Sequence, residues 1–459
     1  MGIVSGEKTK YLCAVKYLRV YDYIFCMMKK FFFVFSFTLI CAGTTLNVSA
    51  QTIRIDTVAS PIRTSRLTLG GYGETVMQRM FYSDHPARYA YPETYKDKSH
   101  GRFDLPHVVF YAGYEFGKGW RLSAEIEFEH GGAGSTYEIE KTEAGEYETE
   151  IEKGGEIAIE QFWIEKTWSS YANLRMGHII VPVGITNQYH MPTDFFSVLR
   201  PEEESGILPC TWHETGISFW GKSDKWRYEA MFIAGLDAER FSNEGWIADG
   251  STSPYEFKIA NTYAGALRID NYSIKGLRIG LSGYYGYSAE NTLKQERYSS
   301  RNVKGIVSIG AFDAVYNDNN ILARTNIIYG NLGGSYDISI VNKRLPSASP
   351  SPRTDVASDV LSFYLEAGYD ILSLFEKTKN KDDKLYIYAH YGFYDSMYKT
   401  AEGIQDKKWC RKNILSAGIN YFPMSGLVIK AEYSLRKFVL PYNNEPAISL
   451  GIGYSGLFN

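Results

Sequence analysis

Beyond residue 50 the sequence lacks any apolar run of the roughly 18–20 residues that a membrane-spanning helix needs. It also lacks an excess of charge, because 49 Lys and Arg residues and 52 Asp and Glu residues leave a net charge of −3 at pH 7. Proteins that bind nucleic acid carry a basic face, so nucleic acid is not an expected partner. Cysteine is scarce: beyond residue 50 the chain has Cys210 and Cys410, and both a bridge and two free thiols are open.

Aromatic side chains and glycine, in contrast, are abundant. Phe, Trp and Tyr make up 15% of the chain, with 37 Tyr residues, and there are 42 Gly residues. Tyr and Trp rings are amphipathic and suit surfaces at which hydrocarbon meets water. Aromatic residues also favour strands over helices. The composition therefore indicates a β-rich protein with a surface at such a boundary.

The N-terminal region has the pattern of an export signal. Lys29-Lys30 precede the apolar stretch 31–42, and small residues end at Ala50, which together are typical of a cleaved signal peptide. We assign residues 1–50 to a start artefact followed by this signal, and residues 51–65 to a periplasmic N-terminal segment. The signal predicts export from the cytoplasm.

A hydrophobic alternation with a period of two recurs along the rest of the chain. The segment 119–131 has it most clearly, with apolar Trp120, Leu122, Ala124, Ile126 and Phe128 alternating with polar Arg121, Ser123, Glu125, Glu127 and Glu129. On a strand this spacing separates an apolar face from a polar face. The pattern therefore predicts strands with one face in hydrocarbon and the other in water.

About sixteen such segments can be counted, and an even number is usual for bacterial membrane barrels. Fourteen or eighteen strands are open alternatives, since 155–168 and 303–316 are weakly patterned. The predicted strands lie near 66–81, 104–116, 119–131, 155–168, 171–181, 213–222, 225–236, 259–271, 276–288, 303–316, 320–332, 359–371, 384–396, 409–423, 426–438 and 445–458.

The connections between these segments alternate between short turns and long polar loops, which is typical of outer-membrane barrels. We therefore predict that residues 66–459 form an all-β, transmembrane antiparallel β-barrel in the outer membrane of a Gram-negative bacterium. Its partners would be outer-membrane lipids and the barrel-assembly machinery, which the terminal apolar face ending in Phe458 would engage. A soluble sandwich or propeller is the structural alternative.

The third long loop, 182–212, differs from the others, which are mostly charged and are expected to be flexible. It has prolines, aromatic and apolar residues that restrict its backbone and allow it to pack. We predict that it folds into the lumen and narrows it. The candidate constriction residues are Asn187, His190, Arg200, Glu202, Glu203, Glu204 and Trp212.

The residues around this loop resemble a known family. Gly177-His178-Ile179-Ile180-Val181-Pro182-Val183-Gly184, Arg200-Pro201 and Trp212-His213-Glu214-Thr215-Gly216 are similar to the porins of Bacteroides-type bacteria, which are grouped with the phosphate-selective porins O and P. The resemblance implies a sixteen-stranded, homotrimeric pore with its third long loop inside. It leaves the solute open.

Charged residues of both signs fall on the predicted inner face. Phosphate selectivity in that family depends on arginines and lysines, yet glutamates share these faces, and opposed charges across a pore favour neither sign strongly. We therefore predict passive diffusion of small polar solutes or ions, with a substrate-specific channel for oligosaccharides or anions such as phosphate as the alternative. The predicted lumen-lining residues are Arg121, Glu125, Glu127, Glu129, Arg175, Arg227, Arg278, Lys430 and Arg436.

Enzymatic and metal-binding interpretations have weaker support. The glutamates at 125, 127 and 129 are regularly spaced on one strand, which does not indicate the acid–base pair of a glycosidase. His178, His190 and His213 lack compact ligand spacing such as H-E-x-x-H. The sequence predicts no enzyme activity, no cofactor and no metal site.

Overall fold

A computed structural model describes residues 66–458 except 97, 133–134, 142–146, 154–155, 254–256, 294, 348, 350 and 376–382. For the strand segments 135–141 and 147–153 it describes the backbone alone. The predicted start artefact, signal peptide and periplasmic segment lie outside the described residues.

Strands make up most of the described chain. In chain order they are β1 (Leu67–Met80), β2 (His100–Asp104), β3 (His107–Gly117), β4 (Trp120–Glu129), β5 (Ser135–Lys141), β6 (Tyr147–Lys153), β7 (Glu156–Ser169), β8 (Ala172–Ile180), β9 (His213–Lys222), β10 (Trp226–Ala234), β11 (Tyr263–Ile274), β12 (Leu277–Tyr287), β13 (Ile306–Asp318), β14 (Ile321–Leu332), β15 (Asp359–Asp370), β16 (Lys384–Lys399), β17 (Arg411–Met424), β18 (Leu427–Lys437) and β19 (Glu445–Leu457).

These strands form one closed antiparallel barrel. Each barrel strand pairs with its neighbours in sequence, and β19 returns to pair with β1 from Gly70↔Leu457 to Met80↔Ala447. β2 and β3 pair with successive parts of β1 and therefore act as one interrupted strand, so the barrel has sixteen strand positions. β5 and β6 form a separate hairpin in the second long loop. The predicted fold class and strand count are confirmed.

The alternation of side chains is also as predicted, because successive residues of a strand point to opposite faces. Outward residues such as Leu267 and Ile452 are 63% and 56% exposed, whereas inward Asp313 and Glu366 are fully buried. Every barrel strand carries exposed apolar side chains on its outer face, and the inner face holds most of the charged side chains of the barrel strands. This inverts the usual arrangement of a water-soluble protein.

Short turns and long loops alternate, except that the connection 371–383 between β15 and β16 is long, and among the described residues three short helices lie in the loops. They are α1 (Glu202–Ser205), α2 (Glu296–Ser299) and α3 (Ser335–Asn342), with 3-10 turns at Pro86–Arg88, Ala238–Arg240, Ala248–Ser251, Ile371–Phe375 and Lys408–Cys410. Among the described residues, no helix is both long and apolar enough to cross a membrane.

The sequence suggested that the long loops other than the third are mostly charged and flexible, but three of them are packed together. Phe241, Trp246, Tyr298, Ile338 and Val356 come from three different loops and are fully buried in one hydrophobic cluster. Scattered apolar residues in irregular segments have no period, so the sequence pattern could not reveal that they meet. Cys410 also joins this cluster, and both Cys210 and Cys410 are free thiols.

Candidate functional site

The third long loop leaves β8, crosses the barrel interior and returns to β9. Its base is closed by the N–H of Val181, which donates to the carbonyl of Trp212 at 2.8 Å. Pro182 has no N–H and so ends the strand ladder directly after β8. Ile185 and Phe196 are each 1% exposed. The loop therefore packs against the inner wall.

Asn187 joins the two arms of the loop near its base. Its side-chain amide donates to the carbonyls of Val183 at 3.0 Å and Pro209 at 3.3 Å, and its Oδ1 accepts from the N–H of Trp212 at 2.7 Å. The Trp212 ring packs on Tyr284 in the hydrophobic cluster, with the ring centroids 4.9 Å apart. Asn187 and Trp212 thus fix the shape of the loop and do not face open space.

Glu204 anchors the first arm of the loop to α1. Its carboxylate accepts from the N–H groups of Ile185 at 3.2 Å and Thr186 at 3.0 Å, from the Thr186 hydroxyl, and from the side-chain amide of Asn326 on β14. Burial raises the pKa of Glu204 to about 7, although the two backbone N–H groups favour its charged form. The side chain is a structural clamp between loop and wall.

Glu202 and Glu203 reach two other parts of the wall. Glu202 accepts from Arg436 at 2.6 Å and from the Tyr394 hydroxyl at 2.5 Å, while Glu203 lies 2.9 Å from Nε2 of His390. Burial raises the pKa of Glu202, but attraction to Arg436 and other cationic neighbours is stronger and lowers it to about 2. The acidic run is therefore fully partnered inside the barrel.

Strands β17 and β18 hold the middle of the loop through its backbone. Lys430 donates to the carbonyls of Phe195 at 2.9 Å and Ser197 at 2.7 Å, and the Asn420 amide donates to the carbonyl of Phe196 at 2.9 Å. The Phe196 ring stacks on Tyr388 with the centroids 5.0 Å apart. The ammonium group of Lys430 is thus hydrogen-bonded to the loop backbone.

Glycines on the inner wall make room for these contacts. A Cβ at Gly368 would lie 2.5 Å from Cζ of Phe196, and one at Gly392 would lie 1.6 Å from Oε1 of Glu203. Real Cβ atoms do not approach other atoms so closely. The loop can therefore occupy its position because the facing wall residues have no side chain.

The inner wall from β10 to β14 holds a network of paired charges. The closest contacts join Arg227 to Glu229 at 2.6 Å, Arg268 to Asp270 at 2.7 Å and Arg278 to Asp313 at 2.5 Å. The charges are buried, so each pairing compensates a large desolvation cost. The acidic partners Asp270 and Asp313 were not among the candidate residues, although alternation places both on the inner face.

A second group of charges lies on β4, β7 and β8. Glu165 accepts from Arg121 at 3.0 Å and from Arg175 at 3.1 Å, and the Arg175 guanidinium lies 4.3 Å from the centre of the Trp163 ring. Cation–π contacts of this kind are strongest where the cation is desolvated. Arg121 and Arg175 are thus paired with the same carboxylate on the inner face.

The three alternating glutamates of β4 also point inward. Glu125 accepts from Gln161 at 2.5 Å, while Glu127 and Glu129 lie 2.8 and 3.9 Å from Nδ1 of His107. Two further groups approach Glu125, namely Glu160 and His190. Glu160 was not among the candidate residues, because a bulge in β7 breaks the alternation at that point.

Arg200 completes the loop and faces β1. Its Nε donates to the carbonyl of His190 at 3.2 Å, and its Nη2 donates to the Tyr72 hydroxyl at 3.4 Å.

The inward charged side chains differ in their exposure to water. Those on β10 to β16 are buried, whereas five others are partly exposed: His107, Arg121, Glu129, Lys412 and Arg436. The interior is thus most open beside β3, β4, β17 and β18.

Comparisons with known proteins give low identities. No family model matches the sequence. An uncharacterised protein of Aquifex aeolicus is 27% identical over 379 residues, which cover 80% of this chain and 75% of that protein. Two solved structures cover 85% of this chain: the anion-selective porin of Comamonas acidovorans (10% identity, 99% of that chain, TM-score 0.48) and Salmonella typhi OmpF in complex with daunomycin (11% identity, 97% of that chain, TM-score 0.49).

Side chains added to the wall under the third long loop should loosen the contact between the loop and the wall. We expect Gly368→Ala and Gly392→Ala to cost about 1–3 kcal/mol of loop packing and to speed amide hydrogen exchange in 195–205 by about tenfold or more. The control is Gly310→Ala, since a Cβ there meets nothing within 4 Å. Unchanged hydrogen exchange in both inner-wall variants would mean that the loop does not pack against Gly368 and Gly392.

Acid should weaken the contact of α1 with the wall. The pKa of Glu202 lies below its ordinary value, at about 2, so its contribution to stability is present above about pH 4.5 and is lost as the pH falls towards 2. Protection factors from hydrogen exchange in 200–208 should decrease over that range in the native protein. Glu202→Gln should abolish much of the decrease, and Glu402→Gln, in an exposed loop, should not.

Proposed function

We propose that this chain is an outer-membrane porin through which small polar solutes or ions diffuse passively. The observation that carries the proposal is a closed sixteen-stranded barrel whose outside is apolar and whose inside is charged. A bilayer satisfies such an outer face, and closure satisfies the backbone where water is absent. The same architecture supports the proposed location in the outer membrane of a Gram-negative bacterium.

The third long loop is the proposed size filter. Its backbone is held by Lys430 and Asn420 on one side of the wall, and its carboxylates by Arg436, His390 and Asn326 on others. A segment fixed at so many points stays in the interior, and a solute must then pass between it and the wall. We propose that the passage runs beside β3, β4, β17 and β18, where inward charges are partly exposed.

Pairing of the inner charges favours unselective passage of small solutes over an anion-specific channel. Arg227, Arg268 and Arg278 each have a carboxylate within 3.0 Å, so little of their charge is available to a phosphate. Opposed charges across a narrow space orient water without a strong preference for either sign. A substrate-specific oligosaccharide or anion channel is the second candidate, and the Bacteroides-type porin family and the homotrimer stay predictions.

Removing the filter should widen the pore. We expect liposomes containing the native protein to swell at rates that fall with sugar size and do not saturate, and deletion of 187–208 to raise both these rates and the single-channel conductance. The control is deletion of 135–153, the β5–β6 hairpin, which pairs apart from the barrel. Unchanged conductance without 187–208 would exclude the loop as the filter, whereas saturation or ranking by sugar identity would favour the specific channel.

The lipid-facing assignment can be tested by placing charge on the outer face. Ile126 and Ile429 are 43% and 45% exposed there, and an arginine near the bilayer midplane costs roughly 2–4 kcal/mol. Ile126→Arg and Ile429→Arg should therefore reduce folding into vesicles, measured by the mobility shift of unheated samples in gel electrophoresis. Leu293→Arg, in a loop, is the control. Normal insertion of both strand variants would mean that these residues do not face lipid.

A further inference from the structure

Glu125 on β4, Glu160 on β7 and His190 on the third long loop meet inside the barrel. Each offers one ligand atom, and the three atoms lie within 4.8 Å of one another. All three side chains are buried, with Glu160 fully inaccessible. The group therefore joins two wall strands to a loop residue that lies 65 positions after Glu125 in the sequence.



A β-bulge directs Glu160 into this group. Gln161 pairs with Glu125 and Ile159 pairs with Ile126, so Glu160 is an extra residue with no partner of its own in the ladder. Bulges bend a strand and re-aim a side chain, and they are common beside functional sites. Here the bulge places two successive polar side chains, those of Glu160 and Gln161, away from the outer apolar face.

The Glu160 carboxylate is only half satisfied. Its Oε2 accepts from the Tyr72 hydroxyl at 2.9 Å, whereas its Oε1 is buried and, although the Thr211 hydroxyl is near the carboxylate, has no partner that meets hydrogen-bond geometry among the described residues. The closest cationic or imidazole atom is Nε2 of His190, 3.7 Å from Oε1. That separation is too long for a hydrogen bond, and leaving a buried carboxylate oxygen unpaired is costly.

One tautomer of the histidine presents a lone pair to the same space. Its Nδ1 lies 3.4 Å from the carbonyl oxygen of Asn187, which can only accept, and in the tautomer that donates this hydrogen bond Nε2 is left as an acceptor. Nε2 of His190 and Oε1 of Glu160 are then two acceptors that face each other. A metal-bound histidine is commonly oriented by such a contact between its other ring nitrogen and a backbone carbonyl.

The surroundings carry more negative than positive charge. Glu125, Glu127 and Glu160 are buried close together, and Arg200 directs its described hydrogen bonds to the His190 carbonyl and the Tyr72 hydroxyl. One imidazole nitrogen with two carboxylates suits Zn²⁺ and similar transition-metal ions, whereas Ca²⁺ and Mg²⁺ prefer oxygen ligands alone. Three protein ligands would leave one position of a tetrahedral ion open.

We propose that Glu125, Glu160 and His190 bind a divalent transition-metal ion that clamps the third long loop to the β4–β7 wall. The neighbouring group of His107, Glu127 and Glu129 is the weaker candidate, because His107 already contacts Glu127 at 2.8 Å and is partly exposed. The proposed site does not depend on which solute the barrel passes, or on whether it conducts.

Zn²⁺ is the probe that tests this site. The folded protein in detergent is first stripped of metal with a chelator and then dialysed to equilibrium against Zn²⁺. It should bind one Zn²⁺ per chain, and Mg²⁺ should not displace this ion. Glu160→Gln, which keeps the shape and the Tyr72 contact, and His190→Asn should each weaken Zn²⁺ binding by more than about tenfold. His107→Asn and His213→Asn are the matched controls and should leave binding unchanged.

A second measurement separates a clamp from adventitious binding. Zn²⁺ should slow hydrogen exchange in 185–195 of the native protein, and it should have no such effect in Glu160→Gln. Gel mobility of unheated samples checks that each variant is folded, and Glu125→Gln replaces any variant that is not. The proposal is overturned if the native protein retains no Zn²⁺, if binding survives Glu160→Gln and His190→Asn, or if it is lost in a control instead.

Discussion

Closure of the sheet is the constraint on which the rest of the structure depends. Because β19 pairs with β1, the backbone groups of every barrel strand find partners in neighbouring strands, and an apolar outer face needs no water to satisfy them. The inner face can then hold charges in a confined space. There the charges attract one another strongly, which explains why arginines such as Arg268 are found with carboxylates on both sides.

Successive glutamates of the loop inside the barrel contact very different partners. Glu202, Glu203 and Glu204 look like a solvated charge run in the sequence, yet they contact Arg436, His390 and the backbone of Thr186 respectively. In α1, successive side chains point about 100° apart around the helix axis, so each carboxylate meets a different part of the wall. One short helical turn thereby fastens the loop in three directions.

The sequence allowed the strands and their facing to be predicted, because both depend on a local period of two. Ile126 is exposed and Glu125 is buried as that period requires. The partners of the loop could not be predicted, since contacts such as Lys430 with Phe195 join distant parts of the chain. Glu160 was missed for a local reason: a bulge shifts the period by one residue, and nothing in the surrounding residue types marks it.

The hairpin of β5 and β6 has a practical consequence. In the part of the chain that the structure describes, these two strands pair with each other and apart from the barrel sheet, whereas other long loops share one hydrophobic cluster. Foreign peptides grafted at the hairpin would leave the strand pairing of the barrel intact. If the chain is a porin as proposed, the second loop is therefore the position to choose for a grafted peptide, and the loops around Trp246 and Tyr298 are the positions to avoid.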